Sequence, residues 1–333
     1  MDDKKCTVYS SEKGKSGHTI YKYLRDITSE TDYDVNILGI DENALLKKFP
    51  KEAFDKNFFF YTESVVNYNP NHLDIIEHDN FRGFITHLSK TCSILWEMYK
   101  KPVFKLDLGI FHRTKDEIDF IKKHIKKQCF SSDIKFLSTT TYNDTLDSNF
   151  LNRGGAISDI LMQRLLDNEY NVRLTHKGQN RFSFSSYYPE KLTLIQNYIS
   201  DSEMHDLFLK NSFYLLPSVQ VHAASLTMAM SYGLIPVISE GYGFEEYCSD
   251  FNSIRCFSYP DNIVVNEGIN QDNVSFIAYA EIDASFFVKF DELYYDREKL
   301  YLFRMNSLGQ YISNYSPYMS KIGIENIFKQ AIT

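Results

Sequence analysis

Cysteine is scarce and scattered: Cys6, Cys92, Cys129, Cys248 and Cys256 form no C-x-x-C pair. That spacing excludes a zinc framework and a disulfide scaffold, and it makes a reducing cytoplasm the expected compartment. Long apolar runs are also missing. No stretch approaches the roughly 18 apolar residues of a membrane span, and the charged start MDDKK is not a signal peptide. Basic excess is absent too: 36 Lys and Arg against 44 Asp and Glu leave a net charge of −8, which argues against a protein that tracks nucleic-acid phosphates. Internal repeats and long low-complexity segments are lacking. Glycine (14) and proline (8) are few beside 24 Tyr and 26 Phe, a bias given no functional weight.

What is present is a folded-protein composition, 43% hydrophobic over 333 residues, enough for about two domains with separate cores. The most informative stretch is Phe213–Tyr247. Phe213–Leu216 is a short apolar run stopped by Pro217 and Ser218, as in a strand buried on both faces of a parallel sheet. Ala223–Tyr232 carries apolar residues at helical spacing and stops at Gly233; Leu234–Ile238 is the next strand. The connecting loop, Ser218–Ser225, therefore lies where parallel sheets gather ligands. A helix's first turn presents unpaired N–H groups and about half a positive charge, which suits an anion such as a diphosphate.

The rest alternates strands and helices. Cys6–Ser10, a Gly-containing loop through Gly17 and His18, and helical Thr19–Ile27 open the chain, followed by strands at Tyr33–Ile40, Asn57–Tyr61, Phe84 onward and Val103–Leu108. A helix is expected over Glu42–Phe49. Glu63 follows the third strand and His87 the fourth, positions from which a side chain could act as a base, although a capping Glu and a structurally satisfied His are the ordinary alternatives. Lys115–Lys127 reads as a basic helix with Ile118, Ile121 and Ile125 on its apolar side. A solvated lysine face and an association with an anionic membrane surface both fit it. Ile134–Leu137, a helix from Ala156 to Asp167 and a strand at Asn171–Thr175 start a second sheet. Ser200 is expected to cap a short helix through Glu203. Phe276–Tyr279 reads as a late strand, and Ala284–Asp296, Leu300–Tyr311 and Met319–Ile332 as helices.

Pro217-Ser218, the run Thr227–Ile238, Gly243–Glu246 and Asn152-Arg153-Gly154-Gly155 together resemble the nucleotide-sugar core of GT-B glycosyltransferases, in particular the retaining branch with a Glu-x7-Glu donor motif. The motif is degenerate here, with Val219 and Thr227 at the two Glu places and Gln220 or His222 as substitutes for the first. The resemblance implies an α/β fold of two Rossmann-like doubly wound domains facing a cleft: 1–128 on the acceptor side, 129–312 binding the nucleotide sugar, and 313–333 as a C-terminal helix crossing back to the first domain. It implies a donor site of Gly17, Arg153, Lys177, Gly178, Tyr198, His222, Ala224, Ser225, Thr227 and Glu246. Arg153 takes the place of a diphosphate-binding Lys, an exchange that keeps bidentate anion binding. His18, Glu63 and His87 are the candidates for acceptor base. The expected partners are a nucleotide diphosphate sugar and a glycan or glycolipid acceptor, with weak membrane-surface association as a further possibility and no nucleic acid. No metal or other cofactor is expected, because Asp32-Tyr33-Asp34 precedes its strand instead of following it. A noncatalytic sugar-nucleotide binder and a nucleotide-sugar epimerase are the rival readings.

Overall fold

A computed structural model describes residues 5–10, 17–39, 49–62, 73–109, 111–130, 133–140, 147–179, 181–260 and 274–332. The chain divides into two compact units, residues 1–112 with 313–333, and residues 113–312.

The first unit holds a parallel sheet of β1 (Cys6–Ser10), β2 (Val35–Gly39), β3 (Asn57–Tyr61), β4 (Phe81–Thr86) and β5 (Val103–Lys105), arranged in chain order. β2 and β3 are buried almost throughout and mostly apolar, the buried polar exception, Asn36 in β2, donating through Nδ2 to Ala53 O at 3.0 Å. Both faces are covered. On one face, α1 (Gly17–Thr28) packs Ile20, Tyr21, Leu24 and Ile27 beside the C-terminal helix, whose Ile324, Ile327 and Phe328 are buried in the same cluster. The other face is an aromatic layer of Phe58, Phe60, Phe81 and Phe84 under α2 (Leu73–Ile76) and α3 (Ser89–Tyr99). The expected helix over Glu42–Phe49 lies, but for Phe49, outside the described residues.

The second unit opens with α4 (Lys115–Cys129), closed at its N-terminus by a reciprocal capping box between Thr114 and Glu117. This helix groups with the second unit, whereas the expected boundary at 128 put it in the first. The reason is its apolar stripe: Ile121, Ile125 and Cys129 are buried, Ile125 lies against Gly233, and His124 Nε2 donates to Leu209 O at 3.0 Å.

Next come β6 (Ile134–Thr139), α5 (Asp147–Asn152), α6 (Gly155–Asp167), β7 (Val172–Lys177), β8 (Leu192–Ile195), α7 (Asp201–Lys210), β9 (Phe213–Leu216), α8 (Ala223–Ser231), β10 (Ile235–Glu240) and β11 (Ile254–Ser258). The expected cap is present: Ser200 and Glu203 form a capping box at α7. The six strands are parallel, in the order β11-β10-β9-β6-β7-β8. Strand order therefore reverses between β6 and β9.

Phe276–Tyr279 is not a strand but part of a 3-10 turn, Val274–Tyr279. The run is β-prone, yet a strand needs a ladder partner, and the sheet ends at β11. The unit is completed by α9 (Ala284–Tyr295) and α10 (Arg297–Asn314), and the C-terminal helix of the first unit is α11 (Pro317–Ile332).

Candidate active site

In an open parallel sheet the crevice lies outside the C-terminal strand ends where the order reverses, here between β6 and β9. Two segments meet there. After β6, the turn from α5 into α6 carries Arg153 and Gly154; after β9, Pro217–His222 leads into α8.

Their contact is close. Gly154 has φ +74°, and a Cβ on it would stand 2.0 Å from Pro217 O. A side chain is excluded both by backbone conformation and by space. Val219 N donates to Asn152 O at 3.2 Å, joining the two segments directly. The β9–α8 loop is held from several further directions. Ser218 Oγ donates to Gln220 O (2.6 Å), Ser239 Oγ to Ser218 O (2.5 Å) and Tyr259 Oη to Pro217 O (2.7 Å). Tyr242 N donates to Val219 O (2.7 Å) and Val221 N to Tyr242 O (2.8 Å). A loop fixed this way presents its ends without reorganising.

His222 is the N-cap of α8 but its side chain makes no capping bond, and the first turn consists of the small residues Ala223, Ala224 and Ser225. Ser225 Oγ donates to His222 O at 3.2 Å, and both Ser225 and Ala224 are half-buried. α6, entered through Gly154, likewise lacks a side-chain cap. Two helix N-termini thus flank half-buried Arg153, a concentration of positive potential suited to an anion. Among the described residues the His222 Nε2 has no hydrogen-bond partner and is shielded from solvent. Burial, and secondarily the Arg153 charge, hold this imidazole well below its ordinary range, so it is neutral at pH 7.

One strand away, Lys177 ends β7, its ammonium pushed below its usual range by partial burial. Gly178 follows at φ +153°, where a Cβ would meet Thr140 Oγ1 at 2.1 Å. Its N–H donates to Ile195 O (3.1 Å), while Thr140 N donates to Lys177 O (2.9 Å), so the ends of β6, β7 and β8 are tied together.

Other expected residues are placed differently. Thr227 is fully buried and its hydroxyl donates to Ala223 O at 2.7 Å, inside the helix; it offers no contact to a sugar or ribose hydroxyl. Val219 is fully buried as well. Tyr198 stands 86% exposed beyond the edge strand β8. Glu246 is half-buried in the 3-10 turn Phe244–Glu246 beyond β10.

In the first unit, His87 follows β4, buried, with Nδ1 3.2 Å from the Tyr61 hydroxyl. That is the arrangement of a satisfied core histidine. Gly17 and His18 open α1 by their backbone, the side chain of His18 lying outside the described residues, as does Glu63. Asn152, Gly154 and Ser218, which belong to the quoted motifs but not to the expected donor residues, build the cradle together with Ser239, which no motif marked. The Gly-Gly pair after Arg153 and the Pro-Ser stop after β9 are the local signals of the close approach.

No protein-family model matches the chain, and no curated protein matches its sequence. Solved structures do match. A glycosyltransferase from Rickettsia africae ESF-5 superposes with a TM-score of 0.58 at 10% identity, covering 98% of each chain. The fold is that of the GT-B glycosyltransferases. TarM matches with a TM-score of 0.56 at 12% identity over 88% of this chain, which spans 54% of TarM. Anabaena HepE, solved with UDP and glucose, matches at 0.56 and 9% identity, over 98% of this chain and 99% of its own. Among the described residues no helix is long and apolar enough to cross a membrane.

Proposed function

We propose that the chain is a glycosyltransferase moving a sugar from a nucleotide diphosphate sugar to a hydroxyl of a glycan or other acceptor, without a metal ion and with retention at the anomeric carbon. One observation carries this reading: half-buried Arg153 lies between two helix N-termini free of side-chain caps, at the point where strand order reverses. In the reaction the acceptor oxygen bonds to the anomeric carbon, the bond to the diphosphate oxygen breaks, and the acceptor proton is taken up by a base. Fixed donors aimed at the leaving diphosphate stabilise its growing charge without reorganising. Arg153, the amides of Ala224 and Ser225, and Lys177 supply them. The shared fold with HepE, whose structure contains UDP and glucose, supports the donor class.

A noncatalytic sugar-nucleotide binder is the second reading. What favours it is that Val219 and Thr227, at the places of the family's two carboxylates, are both buried and neutral.

The test is a thermal-shift and turnover screen of the full chain against UDP, GDP, ADP, CMP and TDP sugars in EDTA. A stabilising donor and slow release of free sugar are expected. Arg153→Ala should weaken that donor by about 2 kcal/mol, the size of a charged hydrogen bond left unmade, and Ser225→Ala by less. Unchanged affinity in Arg153→Ala would remove Arg153 from the site, and donor binding with no hydrolysis or transfer to any glycan would favour the second reading.

A further inference from the structure

We infer that the C-terminal half of α4, together with the corner where α9 meets α10, is a self-complementary surface on which a second copy of this chain docks about a two-fold axis. At 100° per residue Lys123, Lys126, Lys127 and Phe130 fall within an arc of about 100°, opposite the packed side of Ile121, Ile125 and Cys129. The three lysines are exposed, and Phe130 is 58% exposed. Beyond Phe130 the charge changes sign. Its ring lines one surface depression with Tyr295, 75% exposed, and with Asp291, Glu292, Asp296 and Glu298. Lysine strip, Phe130 and acidic corner therefore follow one another across the surface.

Contacts within one copy explain part of this pattern. Lys126 and Lys127 complement the dipole in the last turn of α4. Asp291 accepts the Tyr170 hydroxyl, Asp296 Oδ1 accepts the Glu298 and Lys299 amides at 3.0 Å as α10 begins, and Glu292 lies 3.7 Å from Lys289 and 3.8 Å from Lys299. The rest is left over. Among the described residues Lys123, Lys126 and Lys127 have no carboxylate, and Glu298 has no cation, within ion-pair distance. The depression holds four acids against Arg297 and Lys299 and so stays negative, whereas Phe120–Phe130 carries four lysines and no acid.

The change of sign selects the occupant. An anionic bilayer or an acidic protein would meet the lysines and be repelled beside Phe130, and a basic partner would meet the reverse. A second copy of this chain matches both halves at once: after a half-turn about an axis at Phe130, each strip faces the other copy's corner. Any placement of strip on strip sets like charges together, so charge fixes the orientation. The rings of Phe130 and Tyr295 from both copies then close the centre, where interfaces concentrate aromatic side chains. Each copy carries a net −8, but charges beyond about 10 Å count little at about 0.1 M salt, and the local pattern decides.

The experiment is sedimentation velocity of the full chain at rising concentration in about 0.1 M salt, and a reversible dimer is expected. Lys123→Glu/Lys126→Glu/Lys127→Glu and Glu292→Lys/Glu298→Lys each set like charges together at both ends of the interface, so each should weaken self-association about 100-fold. Mixing the two variants restores opposite charges at both ends, and the mixture should dimerise as the wild type does. A variant with a damaged fold could not recover in this way. Phe130→Ser should weaken the dimer about tenfold. A wild type that stays monomeric overturns the proposal; if that monomer sediments with phosphatidylglycerol vesicles, the lysines serve a bilayer instead. Charge variants that dimerise like the wild type, a mixture that stays monomeric, or an unaffected Phe130→Ser chain overturn it as well.

Discussion

The two sheets are built from similar buried strands but solve different problems. In the first, strands follow one another in chain order and the core is largely hydrocarbon: Phe58, Phe60, Phe81 and Phe84 form one layer, with ring centroids 5.3–6.1 Å apart. In the second, strand order reverses, and polar groups are bound into the frame on both sides of it. Ser218, Ser239 and Tyr259 fix the β9–α8 loop, and Arg304 is buried in the packing. The difference teaches where chemistry can be placed. A sheet without a reversal has no crevice at its strand ends of the switch-point kind, so it is free to be apolar. A sheet with one must hold loop backbone rigid, and hydroxyl-to-carbonyl bonds do that.

The most severe way to break the second arrangement is Gly154→Ala. The left-handed backbone costs about 1–2 kcal/mol for a residue with a Cβ, and the 2.0 Å approach to Pro217 O forces the α6 entry away from β9. A loss of about 4 kcal/mol or more in denaturant unfolding is expected, with donor binding abolished. Gly309→Ala is the control: nothing lies within 4 Å of its Cβ, and in the interior of α10 alanine should stabilise by about 0.5–1 kcal/mol. A Gly154→Ala chain within 1 kcal/mol of wild type would show that the contact does not constrain the site.

Two further substitutions sharpen the contrast between an apolar and a polar frame. Phe59→Ala removes a fully buried ring that packs on Phe104 and Phe328, at 6.0 and 5.5 Å, and should cost about 4 kcal/mol. Arg304 spans its surroundings through polar bonds: Nε to Gly233 O (2.8 Å), Nη1 to Gln128 Oε1 (2.6 Å) and Nη2 to Asn211 O (3.2 Å). Arg304→Leu fills much of the volume but strands these buried acceptors, and about 3 kcal/mol should be lost. Urea melts of the two variants measure both; an Arg304→Leu chain as stable as wild type would mean that the polar bonds contribute nothing net.

Much of this was legible from residues. The run Phe213–Tyr247 reads correctly as strand, loop, helix and strand because its apolar periods are local and its stops, Pro217 and Gly233, are steric. The capping box at Ser200 and Glu203 is equally local. Strand order is not: β8 and β11 are short, and which neighbour a strand chooses depends on crossovers that periodicity does not encode. Side-chain direction was also hidden. Thr227 occupies the expected position in α8, yet its hydroxyl bonds back to Ala223 O, as β-branched hydroxyls in helices tend to do. Gly154 carried a local signal as one of two adjacent glycines in the quoted motif, but the contact itself was hidden, since the carbonyl it approaches, Pro217 O, belongs to the loop after β9, more than 60 residues away in sequence.

The smallest expected effect is a pH dependence that the polar frame brings with it. His176, near the C-terminal end of β7, is fully buried with its ring edge-on to Phe182, 4.8 Å between centroids. Burial lowers its pKa from 6.5 to about 4. The unfolded chain therefore takes up a proton below pH 6.5 that the folded chain refuses until about pH 4. Stability is full above pH 6.5, falls as pH drops through this window, and levels off below it. At pH 5 the loss from this one group is about 2 kcal/mol. His222, lowered in the same direction, adds to the slope, so the wild-type curve alone does not isolate His176. The comparison that does is His176→Leu. Between pH 7 and pH 5 its denaturant stability should fall by about 2 kcal/mol less than that of the wild type, even if it starts lower. Parallel curves would mean that His176 is protonated in the folded chain, and hence that the interior of the second sheet accommodates charge at β7 as it does at Arg304.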